Sequence, residues 1–397
     1  MSQNPRALIA GVGMIPFAKP GASDPYPEMG AAATRAALAD AGLDYGQVQQ
    51  AYVGYVYGDS CCGQRALYEV GMGGVPIFNV NNNCSTGSTA LYLARQAVEG
   101  GAADCVLALG IEQMKPGALG SVYTDRPTAF DRFDAACDAL VGESHIPLAL
   151  RYFGGAGREH MQRYGTPLST FAKIRAKASR HAANNPLALF RTVLSADDVM
   201  NDKVVWPGVM TRLMACPPTC GAAAALVVSP AFAQRHGLRS DVRVAAQAMT
   251  TDRASTFEGA SMMKLVGSEM TREAADAVFE AAGVDPMDIR VCELHDCFAQ
   301  NELISYEALR LCGDGEAARF VDDGDNTYGG RVVTNPSGGL LSKGHPLGAT
   351  GLAQCYELTH QLRGTAGARQ VGGATLALQH NLGLGGACVV TLYERVS

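Results

Sequence analysis

The chain has 397 residues; only 18% are charged, and 32 Lys+Arg against 38 Asp+Glu leave a net charge of −6. That acidic balance excludes non-specific nucleic-acid binding and an anionic membrane surface as the protein's main business. At roughly 150 residues per domain the length predicts two or three lobes. The 46 glycines and sparse charge point to a protein that hides much of its surface and uses backbone where others use side chains. The twelve cysteines show no zinc spacing and include an adjacent pair, Cys61-Cys62, so they read as reduced thiols.

The run Ala7-Leu-Ile-Ala-Gly-Val-Gly-Met-Ile predicts a buried first strand rather than a secretory leader. The longest apolar stretches, such as 222–228, fall well short of the ~18 residues of a membrane span. The expected location is the cytoplasm. An amphipathic helix follows, stopped by Gly42 and leading through a short turn into the strand Ala51-Tyr-Val-Gly. Next comes Asn81-Asn-Asn-Cys84-Ser-Thr-Gly-Ser, a polar collar that places Cys84 just ahead of a helix over 89–98. Free helix N–H groups stabilise an anion there, which makes Cys84 a candidate thiolate nucleophile. A strand opens at Cys105.

The stretch 117–215 differs in character, with Arg158, Lys173, Arg175, Pro breaks and the only Trp, and reads as an inserted, partly helical subdomain. Residues 216–240 return to the first half through a strand over 222–227, and 241–397 form a second half that repeats the first. At an offset of 241, Ala33, Ala36, Ala41, Gly42 and Asp44 match Ala274, Ala277, Ala282, Gly283 and Asp285. At an offset of 261, Cys84-Ser-Thr-Gly aligns with His345-Pro-Leu-Gly. Two such alternating halves predict an α/β fold of pseudo-symmetric layers whose helix starts converge, bringing Cys84 and His345 to one cavity.

In the second half a strand over 290–294 ends at His295-Asp296-Cys297, poor core material and good site material. Metal binding there would need two more ligands, and Cys292 alternates to another face, so no metal is expected. The last loop, His380-Asn-Leu-Gly383-Leu-Gly-Gly, is expected after a strand over 374–379, its glycines offering backbone N–H groups to an oxyanion.

Together, Asn79-Val-Asn-Asn-Asn-Cys-Ser-Thr-Gly-Ser, Glu293-Leu-His-Asp-Cys-Phe, Gly324-Asp-Asn-Thr-Tyr-Gly-Gly, the run 335–351 and Gln379-His-Asn-Leu-Gly closely resemble the thiolase superfamily, in its sterol carrier protein X branch. The resemblance implies the five-layered α/β/α/β/α thiolase fold with an inserted loop subdomain, as a homodimer or dimer of dimers. It implies cleavage of a 3-ketoacyl-coenzyme A by coenzyme A in fatty-acid, branched-chain or sterol side-chain β-oxidation, with no cofactor. Cys84 would be the acyl-carrying nucleophile, His345 its base, Cys297 the second thiol, and His295 and His380 further catalytic groups. Ser337, Gly338 and Gly383 would contact substrate. Where the family has Asp-Gly-Ala this chain has Cys220-Gly-Ala, which bears on loop packing. The chain stops soon after its last predicted strand, so the sterol carrier domain of the animal fusion is expected to be absent. The rival readings are a thiolase-fold retro-aldolase acting on a branched 3-hydroxyacyl-coenzyme A with an OB-fold partner, and a non-catalytic lipid-binding protein. The aldolase relatives usually lose the Cys/His set kept here.

Overall fold

A computed structural model describes residues 6–116, 123–142 and 146–396. The predicted boundary at 117 lies outside them. In the first half, strand β1 (Leu8–Met14) leads to helix α1 (Tyr26–Ala41), β2 (Gln50–Gly54), β3 (Ile77–Val80), α2 (Thr86–Glu99) and β4 (Cys105–Glu112). Helices α3 (Asp131–Val141), α4 (Leu148–Tyr164) and α5 (Leu168–Ala182) intervene before β5 (Gly221–Val228). The second half runs through β6 (Val242–Thr250), α6 (Ser268–Ala282), β7 (Val291–Glu293), α7 (Ala299–Ala308), β8 (Val333–Thr334), α8 (Thr350–Arg363), β9 (Leu376–Gly383) and β10 (Ala387–Arg395).

The strands hydrogen-bond in the order β3-β2-β4-β5-β1-β6-β10-β9-β7-β8. This order reads the same from either end once each strand is exchanged for its repeat partner, so a pseudo-twofold passes between β1 and β6. The halves meet there through Leu8 opposite Arg243. The two αL glycines that stop α1 and α6, Gly42 and Gly283, have φ of 71° and 65°, the left-handed turn that a side chain would oppose.

Alternation along the strands sorts the core into layers. Leu8 and Ala10 of β1 face Ala33 and Ala37 of α1 on one outer surface. Ala7 and Ile9 face the other way, onto Leu91 and Ala94 of α2 and Leu352 and Leu358 of α8. In the second half, Leu378 and Val390 face Ala274 and Val278 of α6 on the opposite outer surface. Helices α2 and α8 therefore lie sandwiched between the two five-stranded halves of this sheet, each half with an outer helix, giving the five layers of the thiolase fold. Among the described residues no helix is long and apolar enough to cross a membrane.

The central helices cross at their N-terminal ends. Gly87 and Gly348, partners at the offset of 261, touch: a Cβ on Gly87 would lie 2.8 Å from the Gly348 carbonyl oxygen. Only glycine permits this approach, and it draws Cys84 and His345 to the axis.

Candidate active site

Cys84 lies two residues before α2, which starts at Thr86 rather than near 89 as the sequence predicts. The turn that presents it is held from inside: Asn83 takes a positive φ of 51°, and its Nδ2 donates to the Leu384 carbonyl at 3.0 Å. Asn tolerates this region better than most side chains. Gly383 backs the turn, since a Cβ there would meet the Asn82 carbonyl oxygen at 2.3 Å. Its role is thus close approach. His380 to Gly383 also differ from expectation in being the last half of β9, with the turn at 384–386. An alternating buried strand, rather than a glycine loop, carries the histidine.

His345 is placed by the short connection into α8. Its backbone N–H donates to Thr219 Oγ1 at 3.0 Å, and Gly348 N–H reaches the buried Glu112 carboxylate at 2.9 Å. The Glu112 carboxylate also accepts from Val56 and Tyr57, so one carboxylate ties the two halves together beside the site. His295 and Cys297 sit between β7 and α7. Asn301 Nδ2 holds the His295 carbonyl at 2.5 Å, and the Asp296 carboxylate accepts from Leu340 N–H at 2.7 Å and Leu341 N–H at 3.3 Å. That bracket orients the His295–Cys297 turn against the segment leading to His345.

The ligand atoms of Cys84, His295 and His345 all lie within 4.8 Å of one another. The rings of His295 and His345 meet edge to face at 5.0 Å between centroids. Cys297 is buried beside them, and burial, together with Cys216 and Cys84, pushes its thiol well up. Cys84 is pushed well up too, by burial first and then by Cys216 and Glu112. The helix start alone would favour a thiolate there; desolvation and neighbouring acids outweigh it, so the resting group is a thiol that needs a base.

Proton bookkeeping shows which neighbouring ring keeps a free lone pair. Thr350 Oγ1 donates its hydrogen to the Pro346 carbonyl at 3.0 Å and lies 2.6 Å from His345 Nδ1. It therefore accepts from Nδ1–H, leaving the lone pair on Nε2, which is buried and has no partner among the described residues. Burial and then Lys343 hold His345 down to about 3, so the resting ring is neutral.

Other expected residues are turned elsewhere. The nitrogens of His380 are both engaged, Nε2 with Thr271 Oγ1 at 3.0 Å and Nδ1 with the His295 N–H at 3.4 Å. It supports His295 from behind. Ser337 binds Glu293 through its N–H (3.0 Å) and hydroxyl (2.8 Å), and Gly338 packs on Ala182 of α5. Ser337 thus serves a buried carboxylate, and Gly338 a close helix approach. Of the basic residues of the inserted segment, Arg175 is buried and donates to Ser342 Oγ at 2.6 Å. Lys173 pairs with Asp322, and Arg158 lies over the Trp206 ring. Arg175 is thus unavailable to an exposed phosphate. Cys220 fills a core position, its thiol 3.3 Å from the Met114 carbonyl oxygen. Cys216, Thr350 and Asn381 belong to the site and were not singled out from sequence; the latter two lie inside the quoted motifs.

The buried titrating groups set an acid response. His181, His345 and His380 are all held down to about 3 by burial. Unfolded, each binds a proton near 6.5, so the unfolded chain carries more protons between about 3 and 6.5. Stability falls as pH drops through that window, by about 1.4 kcal/mol per pH unit per group. Burial acts oppositely on Glu112 and Asp296, raised to about 7 and about 8. These bind protons in the folded state first, which offsets part of the histidine slope above their ordinary values of 4.5 and 3.8. Urea unfolding across pH is expected to show a slope that steepens below about pH 4.5, where the offset ends. A slope that flattens there would contradict the assignment of neutral buried histidines.

With fold and site in view, two family models match the chain: "Thiolase, N-terminal domain" over residues 7–134 and "Thiolase C-terminal domain-like" over residues 252–393. The chain belongs to the thiolase family, a family of acyltransferases. Within it, the chain is 55% identical over 394 residues to sterol carrier protein 2 of Rattus norvegicus, covering 98% of this chain and 72% of that protein. It is 34% identical to the benzoylsuccinyl-CoA thiolase subunit BbsB of Thauera aromatica, covering 92% and 91% of the two chains. Among solved structures, the Ltp2-ChsH2(DUF35) aldolase superposes with a TM-score of 0.84 at 23% identity, over 99% of both chains, a likeness of fold.

Proposed function

We propose that the chain is a 3-ketoacyl-coenzyme A thiolase acting through an acyl-enzyme on Cys84. The observation that carries this reading is the unpartnered Nε2 of His345 on a ring that brings a nitrogen within 4.8 Å of the Cys84 sulfur. Cys84 passes its proton to His345 Nε2 as sulfur attacks the 3-keto carbon. The bond between C2 and C3 breaks, and its electron pair becomes the enolate of acetyl-coenzyme A, or of propionyl-coenzyme A from a 2-methyl substrate. The protonated His345 and the cavity edge of His295 hold the enolate oxygen, the electrostatic help that removes most of such a barrier. Cys297, kept a thiol by burial, gives its proton to C2. Incoming coenzyme A reprotonates Cys297 and takes the acyl group, and Cys84 recovers its proton from His345. No cofactor or metal takes part in this scheme.

The cytoplasm, assembly as a homodimer or dimer of dimers, and a role in β-oxidation belong to the same reading. A second copy would seat on the open edge at β3, where Phe78 is exposed and stacked on Tyr52 at 5.0 Å.

The test is mass spectrometry after incubation with a 3-ketoacyl-coenzyme A in the absence of free coenzyme A. An acyl adduct on the Cys84 peptide is expected, and Cys84→Ala should lose both adduct and turnover. An adduct on another cysteine, or activity surviving Cys84→Ala, sinks the proposal. A retro-aldolase working with an OB-fold partner would instead cleave a 3-hydroxyacyl ester without acylating the protein, so the same experiment separates the two. Straight, 2-methyl-branched and steroid side-chain 3-ketoacyl esters, assayed in parallel, would fix the substrate class.

A further inference from the structure

Asn381, the fourth polar group at the centre of the site, has no part in the scheme above. It lies on β9 between the nucleophile turn and His295. Its Nδ2 is 3.0 Å from the Cys84 carbonyl oxygen and 3.1 Å from His295 Nδ1. A carbonyl oxygen can only accept, so the atom facing it must be the NH2 group. The second hydrogen of that NH2 then points at His295 Nδ1, which must present a lone pair. The amide oxygen of Asn381 is buried with no partner among the described residues, a desolvation cost that the residue carries while both its donors are in use.

We infer that Asn381 is a positioning residue that fixes the tautomer of His295, so that this ring presents Nε2–H, and not a lone pair, to the cavity. The consequence is a division of labour between two neutral imidazoles 5.0 Å apart. Thr350 turns the lone pair of His345 inward, and Asn381 turns the hydrogen of His295 inward. One ring can take the thiol's proton while the other donates to the developing enolate oxygen from the start. His380 is compatible with this arrangement: its Nδ1 receives the His295 backbone N–H and makes no hydrogen bond to the His295 ring. It also disposes of a metal reading of the Cys84, His295 and His345 trio. Their spacing resembles a ligand set, but an N–H at one of the three positions leaves a soft cation two lone-pair donors instead of three.

This inference rests on the thiolase reading for its catalytic meaning, but its structural content can be read without substrate. In protein labelled with 15N at histidine, the His295 resonances are identified by their loss in His295→Gln. The expected pattern is a protonated-type shift at Nε2 and a lone-pair-type shift at Nδ1. In Asn381→Asp the carboxylate accepts from Nδ1–H, so the two shifts are expected to exchange. Turnover of a 3-ketoacyl-coenzyme A should then fall in kcat by about 100-fold, the usual effect of losing one oxyanion donor, with KM changed less than about threefold. A merely structural role would leave the tautomer unmoved. Nδ1 protonated in the unmodified protein, unexchanged shifts in Asn381→Asp, or a loss confined to KM would each overturn the inference. The first of these needs no variant to fold. Absence of a Cys84 adduct would sink the thiolase reading while leaving the tautomer result standing.

Discussion

His345→Ala is expected to lower kcat by about three to four orders of magnitude. The proposed scheme loses two separable contributions together: a base that deprotonates Cys84, commonly worth about 10²–10⁴, and an imidazolium that afterwards holds the enolate oxygen. They do not add in full, because a thiol that is never deprotonated gives the oxyanion donor nothing to do. The thiol's raised pKa makes the dependence on a base severe. His345→Gln can place an N–H near the same point without basicity, so it is expected to stay within about tenfold of His345→Ala. Alkylation of Cys84 by iodoacetamide provides a check that needs no substrate and should slow in both variants. A loss in kcat below tenfold for His345→Ala would mean that another group activates the nucleophile.

The largest effect on stability is expected at Lys177. This side chain of α5 is buried and pairs with Glu302 of α7, and its ammonium also donates to Thr334 Oγ1 at 2.6 Å. Tyr306 adds a hydroxyl to Glu302, and Asn326 Nδ2 reaches that hydroxyl at 3.0 Å. Lys177→Met leaves a buried carboxylate without its cation, a change that costs about 3–5 kcal/mol in comparable sites. Urea unfolding of the purified variant measures it. Lys177→Met combined with Glu302→Gln removes the orphaned charge as well and should recover part of the loss. A cost under about 1 kcal/mol for the single change would show that Glu302 is neutral in the fold. Because α7 follows Cys297 directly, the same pair anchors the inserted helices to the site.

Much of this was legible in the sequence, for identifiable reasons. The helix stops at Gly42 and Gly283 and the offset of Cys84 onto His345 come from a duplicated backbone, and a duplication leaves its mark as spacing. The candidates Cys84, His295, His345 and Cys297 stood out because reactive side chains at strand ends and helix starts are costly unless used. What stayed hidden depends on orientation. His380 and Ser337 look like active groups in a list of residues, but only coordinates show that Thr271 and Glu293 have already claimed them. Asn381 and Thr350 look like ordinary polar residues, and their importance lies in which hydrogen each leaves free. The burial of Arg175 was hidden too, because helix periodicity cannot show which face a later segment will cover, and Ser342 covers it.

The twofold between α2 and α8 carries one more consequence. Cys84 and His345 are exchanged by it, as Gly87 and Gly348 are. Two separate identical chains meeting at such an axis would offer the same amino acid from both sides: two thiols with no base, or two imidazoles with no nucleophile. Joining the copies in one polypeptide lets each side of the axis mutate alone. The price is that one symmetric pair yields a single reaction centre, since the residue that became histidine can no longer carry an acyl group. Division of a self-complementary contact into donor and acceptor thus requires covalent continuity, and the long chain joining the halves is part of the chemistry rather than a mere connection.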